Sequence, residues 1–162
     1  MFKKAICSFL FLTILLQFFA CQEEFYFESE KTIAEDQWTY QDSVNFTFSI
    51  ADTSALYNLI LDIEHATDYR FQNIYLNVAT KYPSGKRIKE QLPINFADKM
   101  GKWYGDCDSE WCRLRVNLQQ GAFFNAVGDY TITLEQHMRV NPLPGVRGLS
   151  LKLEDTGRRR TE

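Results

Sequence analysis

Ser43-Val44-Asn45-Phe46-Thr47-Phe48-Ser49-Ile50 puts Val44, Phe46, Phe48 and Ile50 on one side of an extended chain and Asn45, Thr47 and Ser49 on the other. Successive side chains of a pleated strand point to opposite faces, so this period of two predicts a strand with one buried face. Asp52-Thr53-Ser54 follows with side chains that bond their own backbone and end the strand in a turn. Tyr57, Leu59, Leu61 and Ile63 then alternate with Asn58, Asp62 and Glu64, while Ile60 interrupts the polar side, as in a strand covered on both faces.

The same grammar continues toward the C-terminus. Phe71 to Tyr82 reads as a long strand with Ile74, Leu76 and Val78 inward, and Pro83-Ser84-Gly85-Lys86 as a tight hairpin turn. Its return strand, Arg87 to Phe96, contains Pro93, which cannot donate to a ladder and so predicts an edge position. Asp98 to Asp106 is a glycine-spaced loop, and Arg113 to Leu118 alternates again. Tyr130, Ile132 and Leu134 form a further strand, and Asn141-Pro142-Leu143-Pro144-Gly145 a rigid turn before a closing strand with Leu149, Leu151 and Leu153. Toward the N-terminus, Phe25 to Lys31 fits either a first edge strand or a stretched linker. The count is about seven to nine strands with no helical stretch, which predicts an all-β fold, a single antiparallel β-sandwich.

The first twenty-one residues carry a different signal. Lys3 and Lys4 precede an apolar run from Ala5 through Phe19, and Ala20 stands directly before Cys21. A cationic start, a short greasy segment and a small residue before a cut site read as an export leader. The run is about 15 residues, short of the roughly 20 that span a bilayer. Cleavage after Ala20 would leave Cys21 as the first residue, carrying palmitate-type acyl chains. Phe18 departs from the Leu usual three positions before such a cysteine, and the other reading is an ordinary leader with Cys21 as a plain thiol. The organisation expected is a cleaved signal at 1–20, a lipidated N-terminus and spacer at 21–37, a sandwich at 38–155 and a basic, disordered tail at 156–162. Gln22-Glu23-Glu24 is acidic spacer, and Arg158-Arg159-Arg160 a solvated stub.

Cys7 leaves with the leader; with Cys21 acylated, Cys107 and Cys112 remain to pair in an oxidising compartment. A metal site needs further ligands, and neither His65 nor His137 has a spacing relation to the pair, so no metal and no cofactor are expected. Of 18 basic residues Lys3 and Lys4 lie in the leader, so 16 face 21 acidic ones, a formal charge of −5 that disfavours nucleic acid, and none is expected as a partner. No Gly-x-Ser-x-Gly element is present, the two histidines lack an evident partner set, and no catalytic residue is assigned. Trp103, Tyr104 and Trp111 stand in neighbouring loops beside Asp106, Asp108 and Glu110 and form the candidate partner-binding set. Trp103 also fits a plug at one end of the sandwich, whereas Trp111, at a cross-linked hairpin tip, is expected to be exposed.

From Asp52 to Glu154 the chain resembles the GldH family of gliding motility lipoproteins of the Bacteroidetes. The likeness rests on Asp52-Thr53-Ser54 with Tyr57-Asn58, Tyr69 and Asn73, Tyr82-Pro83-Ser84-Gly85-Lys86, and Gly101-Lys102-Trp103-Tyr104-Gly105. It continues through Gly128-Asp129-Tyr130 and Gln136-His137-Met138-Arg139 to Pro142-Leu143-Pro144-Gly145-Val146, with Cys21, Trp38 and Phe46-Thr47-Phe48 also fitting. The Cys107–Cys112 pair and Arg147, which stands where an acidic residue is usual, depart from the pattern. The resemblance implies a non-enzymatic accessory component of the gliding machinery tied to type IX secretion, an outer membrane lipoprotein on the periplasmic or the surface face, whose partners are other envelope proteins. A lipid-tethered carbohydrate-binding module is the alternative.

Overall fold

The computed structural model describes residues 25–161; the leader, Ala20 and Cys21 lie outside the described residues. The strands are β1 (Phe27–Thr32), β2 (Gln37–Trp38), β3 (Val44–Ile50), β4 (Ala55–Ala66), β5 (Asn73–Lys81), β6 (Arg87–Asn95), β7 (Asp106–Cys107), β8 (Trp111–Ala122), β9 (Gly128–Gln136), β10 (Leu143–Pro144) and β11 (Val146–Arg159). They build one sheet in the order β1-β11-β4-β8-β7, a second in the order β3-β9-β5-β6, and a small β10-β2 ribbon, with antiparallel pairing throughout. Among the described residues the helical structure is one 3-10 turn, Ala34–Asp36. The all-β sandwich holds, with eight long strands and three of two residues.

The alternation of β3 becomes a strict buried-exposed pattern, and its inward residues meet those of β4, β9 and β11 in one core with Trp38, Tyr57, Leu61, Ile74 and Leu134. Emptying such a site, for instance Phe46→Ala, costs about 3–5 kcal/mol because the neighbours collapse only partly. The β5–β6 hairpin turns where the sequence places it: the Tyr82 N–H donates to Lys86 O at 2.9 Å, and Gly85, at φ +82°, supplies the left-handed residue. Pro93 sits on β6, the outermost strand of its sheet.

β4 is covered on both faces, but not by a third layer. On its outer side Asp62 is 3% exposed because the guanidinium of Arg115, from β8, lies against it at 2.9 and 3.1 Å and the ammonium of Lys152, from β11, at 3.2 Å. Lys152 also reaches Glu28 on β1 at 2.9 Å. Acidic and basic strands thus alternate across this face, and the long aliphatic stems shield the sheet while their heads pair. Burial raises the Asp62 carboxyl, but the hydrogen bonds from Arg115 and Lys152 outweigh it and hold the group below the usual carboxylate range.

Two boundaries move. The stretch expected to be spacer up to residue 37 contains β1, which pairs with β11 from Phe27↔Leu153 to Thr32↔Gly148, with the Phe27 ring 5.4 Å from Phe48. Its apolar pattern is weak because main-chain pairing, rather than burial, holds an edge strand. The basic tail is also strand: β11 runs to Arg159, and the Arg160 N–H donates to Ser54 O at 2.7 Å. Arg159 is gripped by Asp52 at 3.2 Å and Asp155 at 3.0 Å. A cationic run reads as solvated in sequence, whereas here partners 4 and 107 positions away neutralise its middle member.

The topology gives the sandwich two distinct ends. At the near end lie Phe25, where the described chain begins, the 51–54, 82–86 and 123–127 turns, and the end of β11. At the far end lie the β10-β2 ribbon, the 67–72 and 96–106 loops, the β7–β8 hairpin and the segment after β9.

Candidate functional site

The three aromatics singled out in the sequence all belong to the far end, yet they do not share a surface. Trp103 docks inward. Its Nε1–H donates to Thr67 O at 3.1 Å and its ring packs edge-on against His65 at 4.8 Å, while an isolated bridge, Ala97↔Trp103, fixes the loop. That is the plug. Tyr104 is exposed and lines a side cleft with Leu92 of β6 and Val116 of β8. Gly105, at φ +80°, is required there, because a Cβ would stand 2.3 Å from Arg113 O.

Trp111 is half-buried rather than exposed. The Cys107–Cys112 disulfide is formed, and the Asp108 carboxylate caps the hairpin by accepting from the Glu110 N–H at 2.8 Å and the Trp111 N–H at 2.7 Å. Trp111 then points to the outer face of the five-stranded sheet, where the Arg147 guanidinium lies 4.2 Å over its ring. Arg147 reaches this position from an irregularity in the β11–β4 ladder between Val146 and Gly148, and bonds Glu64 at 2.9 Å; Arg113 takes the other oxygen of Glu64 at 2.6 Å. The aromatic ring expected to wait for a partner therefore already has a cation over it. Spacing along the chain gives no sign of this contact, since residues 111 and 147 meet only through the β8-β4-β11 order.

His65 is fully buried in an aromatic box, stacked on Phe96 at 4.4 Å with Tyr69 at 5.8 Å, its Nδ1 3.0 Å from Ala66 O and its Nε2 without a hydrogen-bond partner. Burial pushes its pKa down, with a smaller opposing pull from the Ala66 carbonyl. Burial among these packed rings is the larger effect and favours the neutral imidazole. Among the described residues no three of His, Cys, Asp and Glu converge as a metal-ligand set, and no helix is long and apolar enough to cross a membrane.

Sequence reasoning missed a larger feature beside this end. An open groove of about 910 Å³ runs over the outer face of the β3-β9-β5-β6 sheet. Its floor is Tyr75 and Asn77 of β5, Gln91 of β6 and Glu135 of β9; Tyr40, Phe71 and the 137–140 segment form its walls. The wall is braced: Tyr40 O–H donates to Met138 O at 2.6 Å, the Met138 N–H donates to Gln136 Oε1 at 2.8 Å, and the His137 N–H donates to Tyr75 O at 2.8 Å. Glu135 is engaged by Lys89 at 2.7 Å, which keeps its carboxyl below the usual range. Exposed tyrosines beside amides and a held carboxylate can stack on a ring or clamp a peptide, and His137 also lines the groove, its Nδ1 3.4 Å from Asn77 Nδ2. The only sequence signal was Tyr75 on the polar side of its strand, an exposed aromatic where Asn or Thr would serve.

The family model of the GldH lipoproteins matches residues 25–153, from the first described residue to the middle of β11. The chain belongs to the GldH lipoprotein family. It is similar to the gliding motility lipoprotein GldH homolog of Christiangramia forsetii, 24% identical over 159 residues covering 94% of this chain and 97% of that protein. The gliding motility lipoprotein GldH of Flavobacterium johnsoniae is 25% identical over 132 residues, 81% of each chain. Membership of the GldH family implies a cell envelope location, and the match spans both the groove and the Trp103 plug.

Proposed function

We propose that this GldH-family chain is an acyl-anchored, non-enzymatic accessory component of the gliding machinery linked to type IX secretion, and that it works by docking other envelope proteins. The observation that carries this reading is the match of residues 25–153 to the GldH lipoproteins, which takes in nearly the whole sandwich. Cys21 carries the acyl chains in the outer membrane. Several chains anchor stably where one is marginal, and a domain confined to a surface meets other confined proteins at raised effective concentration, so weak docking contacts suffice. The test is crosslinking with mass spectrometry in cells: gliding or secretion proteins joined to the far end or to the groove support the reading, and a chain with no envelope-protein crosslinks overturns it.

A second reading has one observation in its favour, the groove. Tyr40 and Tyr75 flank Asn77, Gln91 and Glu135, a combination suited to stacking a sugar ring and bonding its hydroxyls. A lipid-tethered carbohydrate-binding module would be retained on polysaccharide columns and released by Tyr75→Ala, whereas the docking reading expects passage without delay.

A further inference from the structure

The near end of the sandwich gathers groups that docking at the far end does not use. The 123–127 turn between β8 and β9 is held from inside: the Phe124 ring packs 4.8 Å from Tyr130, and the Tyr130 hydroxyl donates to Ala126 O at 3.0 Å and accepts from the Ala126 N–H at 3.2 Å. With Phe124 turned in, its neighbours are turned out, Phe123 being 48% and Val127 63% exposed. Two apolar tips on a braced turn are an odd choice for a loop facing only water.

Cations surround them. The Arg160 guanidinium lies 5.0 Å from the Phe123 ring centre, Arg158 reaches over Gly121 at the end of β8, and Lys86 and Arg87 close the β5–β6 turn whose Pro83 packs on Gly128. Arg159 is taken up by Asp52 and Asp155, whereas Arg158, Arg160 and Lys86 make no salt bridge among the described residues and Arg87 acts only through its field on Glu135, which Lys89 already holds. The chain itself has an excess of acid, so a cationic end is a local arrangement and not a reflection of composition.

The third observation is where the chain enters. Tyr26, one residue into the described chain, packs 5.0 Å from Tyr57 and its hydroxyl donates to Ser49 O at 3.0 Å, which places the entry at this same end. Only residues 22–24 separate Phe25 from Cys21, and four residue steps span at most about 14 Å. An acylated Cys21 therefore keeps the near end within a short reach of the bilayer surface. Glu23 and Glu24 in that link oppose attraction to an anionic surface, so the apolar tips are needed as well as the cations.

We propose that the near end is a membrane-contact surface, in which Phe123 and Val127 enter the headgroup region of the anchoring bilayer while Arg158, Arg160, Lys86 and Arg87 meet the phosphates of anionic phospholipids. It rests on the acylation of Cys21 proposed above. Apolar side chains seated at the headgroup boundary and basic residues near an anionic leaflet each add to membrane affinity. The contact turns a loose tether into an orientation: the β7–β8 hairpin at the far end is held away from the lipid, facing the compartment.

The test uses the acylated protein in vesicles of phosphatidylethanolamine and phosphatidylglycerol containing a lipid-borne quencher. A dye is placed through Val127→Cys at the near end or Met100→Cys at the far end, where the native residue is 94% exposed. Strong quenching at 127 with little at 100 supports the proposal, and equal quenching at both sites overturns it while leaving the anchor intact. Intact mass reports the anchor separately, since a protein without acyl chains sinks the anchor reading alone. The second arm is then independent of it: the mature chain with Cys21→Ser should sediment with anionic vesicles and not with phosphatidylcholine. Arg158→Glu with Arg160→Glu should weaken that binding by roughly tenfold or more. No sedimentation with anionic vesicles, or no loss on charge reversal, counts against the surface.

Discussion

The two ends of this sandwich are built on opposite plans. At the far end loops are tied by burial and covalent chemistry: Trp103 plugs the core against His65, the Cys107–Cys112 disulfide and the Asp108 cap close a hairpin, and Arg147 bridges Trp111 to Glu64. At the near end there is no covalent tie among the described residues: the Asp52 carboxylate accepts from the Ser54 N–H at 2.8 Å, Phe124 alone of the 123–127 turn packs inward on Tyr130, and Phe123 and Val127 are left outside. The difference shows where rigidity is invested. On the readings proposed above, the partner-facing surface is the one cross-linked into the core, while the lipid-facing surface needs only position and charge.

The contrast breaks most readily at the plug. Trp103→Ala removes a half-buried ring and the bond to Thr67 O and should cost about 2–3 kcal/mol in denaturant unfolding, whereas Phe123→Ala at the near end should fall within about 0.5 kcal/mol of wild type. Equal losses would erase the distinction. Next comes the covalent tie: replacing both Cys107 and Cys112 by Ser should cost about 2 kcal/mol, since a loop this short gains little from cross-linking. Urea midpoints of the two forms decide it.

His65 sharpens the contrast through pH. Its folded pKa is depressed by burial, so the unfolded chain takes up the proton first as pH falls below the ordinary value of 6.5. The stability conferred by the neutral ring is complete above that point and is lost as pH drops toward the folded pKa, with a slope of at most about 1.4 kcal/mol per pH unit. Unfolding followed between pH 7 and 5 should show this slope in wild type and lose it in His65→Phe; a slope unchanged in the variant would assign it elsewhere. The smallest effect belongs to the surface brace. Arg147→Ala should lower stability by about 0.5–1 kcal/mol. It should also shift the Trp111 emission to the red as the ring gains water, and an unmoved spectrum would mean that the stack is not formed in solution.

Much of the fold was legible in particular residues. The alternation of Val44 to Ile50, the Pro83–Lys86 turn and Pro93 at an edge all rest on rules local to a few neighbouring positions, and they reappear in the structure unaltered. Asp52-Thr53-Ser54 makes the side-chain turn its chemistry predicts. What was not legible depends on strand order. Phe27 to Thr32 becomes a strand only because β11 lies beside it, Arg159 is neutralised only because residue 52 comes round to meet it, and Trp111 is covered only because β4 sets Arg147 opposite. The groove belongs to the same class: Tyr40, Tyr75 and Met138 are 35 and 63 positions apart and line one groove because β5 pairs with β9.

The sequence by itself determined that this protein is an all-strand body with a cysteine pair in one hairpin, because side-chain period, turn chemistry and loop closure act over a few residues and leave their mark in any stretch read alone. Only the tertiary structure decided which aromatics are sheathed and which are offered, that the cationic tail is stitched into the sheet, and that the chain enters at the same end as the exposed Phe123 and Val127. Those outcomes follow from which strands pair across long loops, and pairing energy is shared by main-chain groups that every residue carries alike.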